Sequence, residues 1–189
     1  MSADLERRYV GECRIDPDND RRIRGYAIKF GTRSVDLGGF FEIINPSAVD
    51  RSLRSADVHA YYSHNPERVL GRTGAGTLQI RKDSTGLAVT IDPPSSAADI
   101  IESINRGDIT GMSFGFRVPE GGDEWRMDGG MPLREVNDME LSEVSIVAKP
   151  AYKSTSVQVS QRSLDSLREF KQSSKWTKAE TDRRLRLAR

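Results

Sequence analysis

Two polar residues in otherwise apolar strand segments and a histidine in a turn have types that could carry out hydrolytic chemistry. Ser113 lies in ITGMSFGFRV (Ile109–Val118). At a period of two, Met112, Phe114, Phe116 and Val118 share one face, while Gly111, Ser113, Gly115 and Arg117 share the other. The bulky face is expected in the core. Glycines on both sides leave the serine face bare, so that a substrate backbone could approach closely; the same spacing also suits a serine against which another strand packs. In LSEVSIVAK (Leu141–Lys149), Val144 and Ile146 are expected to face the core with Leu141 at the edge, and Glu143 and Ser145 to point the opposite way. His64 falls in the turn signal SHNPE, just after VHAYY, whereas His59 lies inside that run. A histidine in a turn is the better placed of the two to reach a neighbouring strand.

Taken together these residues suggest acyl transfer. A serine hydroxyl is a weak nucleophile and needs a base, usually histidine, to take its proton. The histidine needs a carboxylate to fix its tautomer and stabilise the imidazolium, and the chain order of such triads differs between folds. Here the order is His64, Ser113, Glu143. The sequence has no G-x-S-x-G elbow, which disfavours an α/β-hydrolase. It also has no phosphate-binding loop and no H-E-x-x-H motif. The single cysteine, Cys13, excludes an intrachain disulfide, and with His59 and His64 as the only histidines a Cys/His zinc cage is not expected. No cofactor is implied.

Many short elements must position these residues. Residues 1–20 read as an edge strand and loop. Ile23–Phe30, Phe40–Ile44, Val58–Tyr62 and Val69–Gly71 read as strands, and Asn45-Pro46 starts a short helix running to about Leu53. Thr77–Arg81 and Leu87–Ile91 flank KDSTG as a hairpin. SSAADIIESINRG reads as an amphipathic helix, capped by Ser95 or Ser96, with Ala97, Ile100, Ile101 and Ile104 as its stripe and Gly107 as its end. EGGDEWRMDGGM reads as a glycine-rich hairpin or flexible loop, followed by strands at Leu133–Val136 and Leu141–Lys149. From about Ser160 the pattern turns helical, with Leu164, Leu167 and Phe170 three residues apart. The expected class is α+β: a strand-rich, mostly antiparallel closed barrel flanked by a few helices, with a helical C-terminal tail.

The chain has 189 residues, 36% hydrophobic and 30% charged, with a formal net charge of +1. Residues 161–189 hold nine Lys/Arg and four Asp/Glu, a net of +5, so residues 1–160 carry −4. This asymmetry suggests two units with different jobs, and with the elements above the expected division is an N-terminal edge segment (1–20), a domain holding the candidate site (21–158) and a basic helical or partly disordered tail (159–189). Nucleic-acid binding by the tail is disfavoured, because its acidic residues are interspersed among the basic ones. No apolar run approaches the roughly 18 residues a membrane span needs, and the charged N-terminus lacks a signal-peptide segment. Action in a cytoplasm is expected.

The runs FFEIINPSAVDRSL, YYSHNPERVLGR, IIESINRGDITGMSFGF and LSEVSIVAKPAY, in that order, resemble the prohead proteases of tailed phages over roughly residues 22–157. GMSFGF after a helix and L-x-E-V-S-I-V-x-x-P-A are the most specific pieces. That family is similar in fold to the herpesvirus assemblins, a mostly β barrel surrounded by helices. The resemblance implies Ser113 as nucleophile and His64 as general base. Across the wider clan the third member is a histidine or an acid; no histidine follows Ser113, so the resemblance implies an acid, Glu143, with Glu140 or Asp138 as alternatives. By analogy with the assemblins, oxyanion donors are expected in Lys149–Tyr152, where Pro150 has no N–H to give. The resemblance also implies partners: the major capsid protein and its scaffolding segment or a separate scaffold protein, and the protease itself through autocleavage and possible self-association. The implied place of action is the assembling procapsid in the host cytoplasm. An inert capsid-assembly protein on the same fold is the alternative.

Overall fold

The computed structural model describes residues 5–10, 13–148 and 158–173. Three sheets carry the fold. The first runs, in spatial order, β1 (Glu6–Val10), β9 (Ile109–Arg117), β12 (Glu140–Ala148), β5 (His59–Tyr62) and β6 (Asn65–Arg72). The second runs β2 (Cys13–Asp16), β3 (Asn19–Lys29), β8 (Gly86–Ile91) and β7 (Leu78–Lys82), and the third β10 (Asp123–Asp128), β11 (Met131–Val136) and β4 (Phe41–Ile44). The ladders are antiparallel except β12 with β5 and β11 with β4. The first two sheets share one core, in which Ile23, Leu87 and Ile91 pack with Met112, Phe114, Phe116, Val144 and Ile146.

The α+β, strand-rich reading holds, but the closed barrel does not. Each sheet is open. Strands β6 and β7 lie against each other at the rim, yet they form no ladder. A helical turn at Thr73–Ala75 joins them in place of the tight turn a paired hairpin would need.

Helix α1 (Asp50–Ser55) follows a 3-10 turn over Pro46–Val49, so Pro46 starts the helical segment as expected. Helix α2 (Ala98–Arg106) buries Ile100 and Ile104 and stops at Gly107, whose φ of +82° suits glycine. Neither Ser95 nor Ser96 caps it: they form a 3-10 turn, and Ala97 holds the cap position. The glycine-rich segment is an ordered hairpin. Strands β10 and β11 pair across Gly129 and Gly130, whose φ values of +58° and +86° give the handedness a two-residue hairpin prefers. Helix α3 (Gln161–Ser173) docks Leu167 against Leu37 and Phe40.

Between the first and third sheets the packing is ionic. The Arg134 side chain, 1% exposed, donates from Nη1 to Glu6 and Glu42 at 2.9–3.0 Å and from Nε to Asp123 at 2.6 Å. Arg8 donates to the same two glutamates at 2.7–2.9 Å. Ser160 and Ser163, at the start of α3, donate to Glu6 Oε1 at 3.3 and 2.7 Å. Strand β1 is thereby tied on one side to the third sheet and on the other to the C-terminal helix.

Candidate active site

Strand β9 fixes Ser113. The expected core face is buried, with Met112, Phe114, Phe116 and Val118 at 6% exposure or less. The other face differs from expectation, because Ser113 is itself only 2% exposed. The room left by the flanking glycines is occupied from within the chain. A Cβ on Gly111 would lie 2.2 Å from the Tyr9 ring, and one on Gly115 would lie 2.7 Å from Glu143 Cγ. The glycines therefore admit two neighbouring side chains beside the serine rather than an open approach to it.

Cross-strand register assembles the rest. Ser113 lies opposite Tyr9 on β1 and Ser145 on β12, and Gly115 lies opposite Arg7 and Glu143. Glu143 shares this face with Ser145 by the alternation expected for β12, and the β12–β9 register slips just before it, between Leu141 and Glu143, leaving Ser142 as an extra residue. Leu141 opposes Phe116 and Val144 opposes Phe114, so the two core residues are three apart. In an unbroken strand, Leu141 would share a face with Glu143; the bulge returns Leu141 to the core beside Val144.

His64 comes from the turn between β5 and β6. Tyr62 pairs with Asn65, so the loop is only Ser63 and His64, and both adopt left-handed backbone at φ +52° and +60°. Two-residue hairpins favour this conformation, but in side chains other than glycine it costs about 1–2 kcal/mol per residue. Ser63 N–H donates to the Ile146 carbonyl at 2.9 Å, pinning the turn to β12. The result is a His64 Nδ1 to Glu143 Oε1 contact of 2.6 Å. With Nδ1 donating to the carboxylate, Nε2 is the nitrogen left to accept a proton. Burial pushes the Glu143 carboxyl up, but the hydrogen bond and charge of His64 and the charge of Arg7 outweigh it and hold the carboxyl below its ordinary value.

The structure thus joins His64 to Glu143 and puts Ser113 on the same sheet face. It does not join Ser113 to His64 by a hydrogen bond: among the described residues the Ser113 and Ser145 hydroxyls, both buried, have no hydrogen-bond partner. Catalytic hydrogen bonds are often long without substrate and tighten only in the complex. His59 faces Glu143 in register but stacks on Tyr61, ring centroids 5.6 Å apart. The alternative acids engage Arg51 instead, Asp138 at 2.7 Å and Glu140 at 3.8 Å. Burial pushes the Cys13 thiol up to about 12, which keeps it protonated and unreactive. The expected oxyanion segment, Lys149–Tyr152, lies outside the described residues, as does the tail beyond Ser173.

Two features escaped the sequence reading. Arg7 Nε donates to Glu143 Oε1 at 3.1 Å from 136 positions away, and one charge in a polar N-terminal run carries no signal of that. The bulge did leave a trace, the apolar spacing of three from Leu141 to Val144 before the period of two resumes.

The sequence model of the caudovirus prohead serine protease family matches residues 11–170. No curated protein and no solved structure matches the chain.

Proposed function

The chain belongs to the caudovirus prohead serine proteases, the proteases of tailed-phage capsid maturation, and from that premise we propose that it is a serine endopeptidase acting through Ser113, His64 and Glu143. Ser113 Oγ attacks the carbonyl carbon of the scissile peptide as His64 Nε2 takes its proton. Glu143 holds the imidazole by Nδ1 and stabilises the imidazolium. The C–N bond then breaks, the leaving amine receives the proton from His64, and an acyl-Ser113 ester remains. Water, activated by the same histidine, hydrolyses that ester. The proposed substrates are the scaffold, or the scaffolding segment of the major capsid protein, and the protease itself, inside the procapsid before DNA enters.

The single observation that carries this reading is the 2.6 Å His64–Glu143 contact beside Ser113. The left-handed turn that presents His64 costs stability, and such strain clusters at functional sites. An inert assembly protein would have no use for the pair.

Co-expression with the phage's own capsid protein tests the assignment by the appearance of cleaved products. His64→Ala is expected to lower cleavage by about 10³-fold or more, and Glu143→Gln less severely, since the acid orients rather than reacts. A His64→Ala loss under tenfold would move the base to His59. A neutral Glu143→Gln would return the third role to Glu140 or Asp138.

Gly115→Ala tests the packing that aims the acid. The added methyl would sit 2.7 Å from Glu143 Cγ and 2.9 Å from its Oε1, so the carboxylate must swing away from His64. Misplacement by about 1 Å can cost about 10²-fold, and a loss of about 10–100-fold in cleavage by the folded variant is expected. Undiminished cleavage would show that Glu143 need not stand where Gly115 lets it.

A further inference from the structure

We propose that Arg7 is a positioning residue for the catalytic carboxylate, so that the N-terminal strand β1 is part of the active site rather than an edge decoration. The inference rests on the Ser113–His64–Glu143 reading and adds to it a guanidinium that the triad logic does not require.

Arg7 and His64 bond the same carboxylate oxygen. Arg7 Nε lies 3.1 Å and His64 Nδ1 2.6 Å from Glu143 Oε1. The carboxylate is 7% exposed and Arg7 31%, so one side of the pair is dry and the other reaches solvent. A buried carboxylate held by histidine alone could rotate or take up a proton; a guanidinium bonded to the same oxygen opposes both.

Arg7 is itself held. Its backbone pairs with Gln158 in both directions, at 3.0 and 3.2 Å, and its Nη1 faces Gln158 Oε1 at 3.4 Å. The residues on either side, Glu6 and Arg8, are locked into the buried ionic cluster. The same strand therefore faces the cluster through Glu6 and Arg8 and the triad acid through Arg7.

Charge near Glu143 is otherwise sparse. Across β12 stand His59 and Tyr61 of β5, beyond them Arg72, paired with Asp57, and across β9 stands Tyr9 of β1. On β9, Gly115 has no side chain, and Arg117 turns to Ser142 at 3.1 Å. Arg7 is the only arginine or lysine among the described residues with an ion pair to Glu143. Its loss should let the Glu143 carboxyl rise toward its ordinary value, because one of the charges that hold it down has been removed.

The test is the rate at which a fluorophosphonate probe labels Ser113, followed by intact mass against pH in the full chain. Labelling forms an Oγ–P bond, expels fluoride and sends the serine proton to His64. Arg7→Met is expected to slow labelling about tenfold at the plateau and to move its acid limb upward by about one pH unit. Arg7→Lys keeps the charge and should keep the limb. In a Glu143→Gln background, Arg7→Met should add little, since its target is gone. An unmoved limb, an equal loss in both backgrounds or faster labelling of Arg7→Met would each overturn the proposal, the last by making Arg7 a restraint. Labelling that persists in Ser113→Ala would instead sink the underlying catalytic reading, whatever Arg7 does.

Discussion

Ser113→Ala is expected to abolish cleavage and at the same time to raise the thermal midpoint by about 2–4 °C. Both effects follow from one atom. The Ser113 hydroxyl is the proposed nucleophile, and loss of a triad serine in such enzymes removes up to about 10⁶-fold in rate. The same hydroxyl is buried at 2% exposure and, among the described residues, has no hydrogen-bond partner. A buried polar group left unsatisfied costs about 1–3 kcal/mol, and replacing it with a methyl removes that penalty while leaving no cavity of consequence. A gain of about 1 kcal/mol corresponds to that midpoint shift for a chain of this size. Thermal unfolding of the two proteins, alongside co-expression cleavage, reads both quantities. Residual cleavage above about 1% of wild type would remove Ser113 from the nucleophile role, while a midpoint that falls would mean the hydroxyl has a partner in solution. Activity and stability thus pull in opposite directions at this position, as they do where a site holds a reactive group ready.

Arg134→Ala is expected to have the largest effect on stability, a loss of about 3–5 kcal/mol. Arg134 is the guanidinium shared by Glu6, Glu42 and Asp123. Truncation leaves three carboxylates in or beside a dry layer with Arg8 as the remaining close cation for two of them. Against a total of about 5–15 kcal/mol for a domain, this is a large fraction, and the midpoint should fall by about 6–20 °C. Arg126→Ala is the comparison. Its pair with Glu135 is 51% and 27% exposed, so its loss should barely move the midpoint. The cluster also has a signature in pH. Burial pushes Glu6 up, but the charges of Arg134 and Arg8 outweigh it and hold Glu6 below its ordinary value of 4.5. A lowered carboxyl stabilises fully above that ordinary value, and the contribution is lost as pH falls through the lower native value. Wild type should therefore lose stability with acid in a window below 4.5 where Arg134→Ala, already deprived of the pairing, changes less. Equal stability of the two proteins in urea at neutral pH would show that the layer does not depend on Arg134. Because Ser160 and Ser163 bond the same Glu6, loosening of α3 should accompany the loss, visible as faster amide exchange there.

How much of this was legible in the sequence depends on the range of the interaction that decides it. The phase of β9 was readable, because side chains alternate faces within one strand, and all four bulky residues that were expected inside are inside. The same holds for α2, whose isoleucine stripe and terminal Gly107 need only the helix period and one left-handed residue. Motif order along the chain carried the family, which the match over residues 11–170 shows. The serine strand, the turn histidine and the acid of the LSEVSIV strand were all legible as candidates.

Register between strands is a tertiary property, and it decided the rest. Periodicity tells which residues of a strand lie together, not which strand lies beside it or where one extra residue breaks the pairing. The pinned two-residue turn brought the His64 imidazole within 2.6 Å of Glu143, and the bulge at Ser142 let Leu141 join the core although Glu143 faces the serine side. The glycines beside Ser113 looked like open ground in the sequence; only the fold put Tyr9 and Glu143 into it. Arg7, Arg8 and Glu6 read as an ordinary charged run until β1 was laid between β9 and the third sheet, because the value of a charge depends on what covers it, and that is settled by chain segments far away in sequence. Residue types and strand phase were enough to nominate Ser113, His64 and Glu143, and long-range packing was needed to bring His64 onto Glu143.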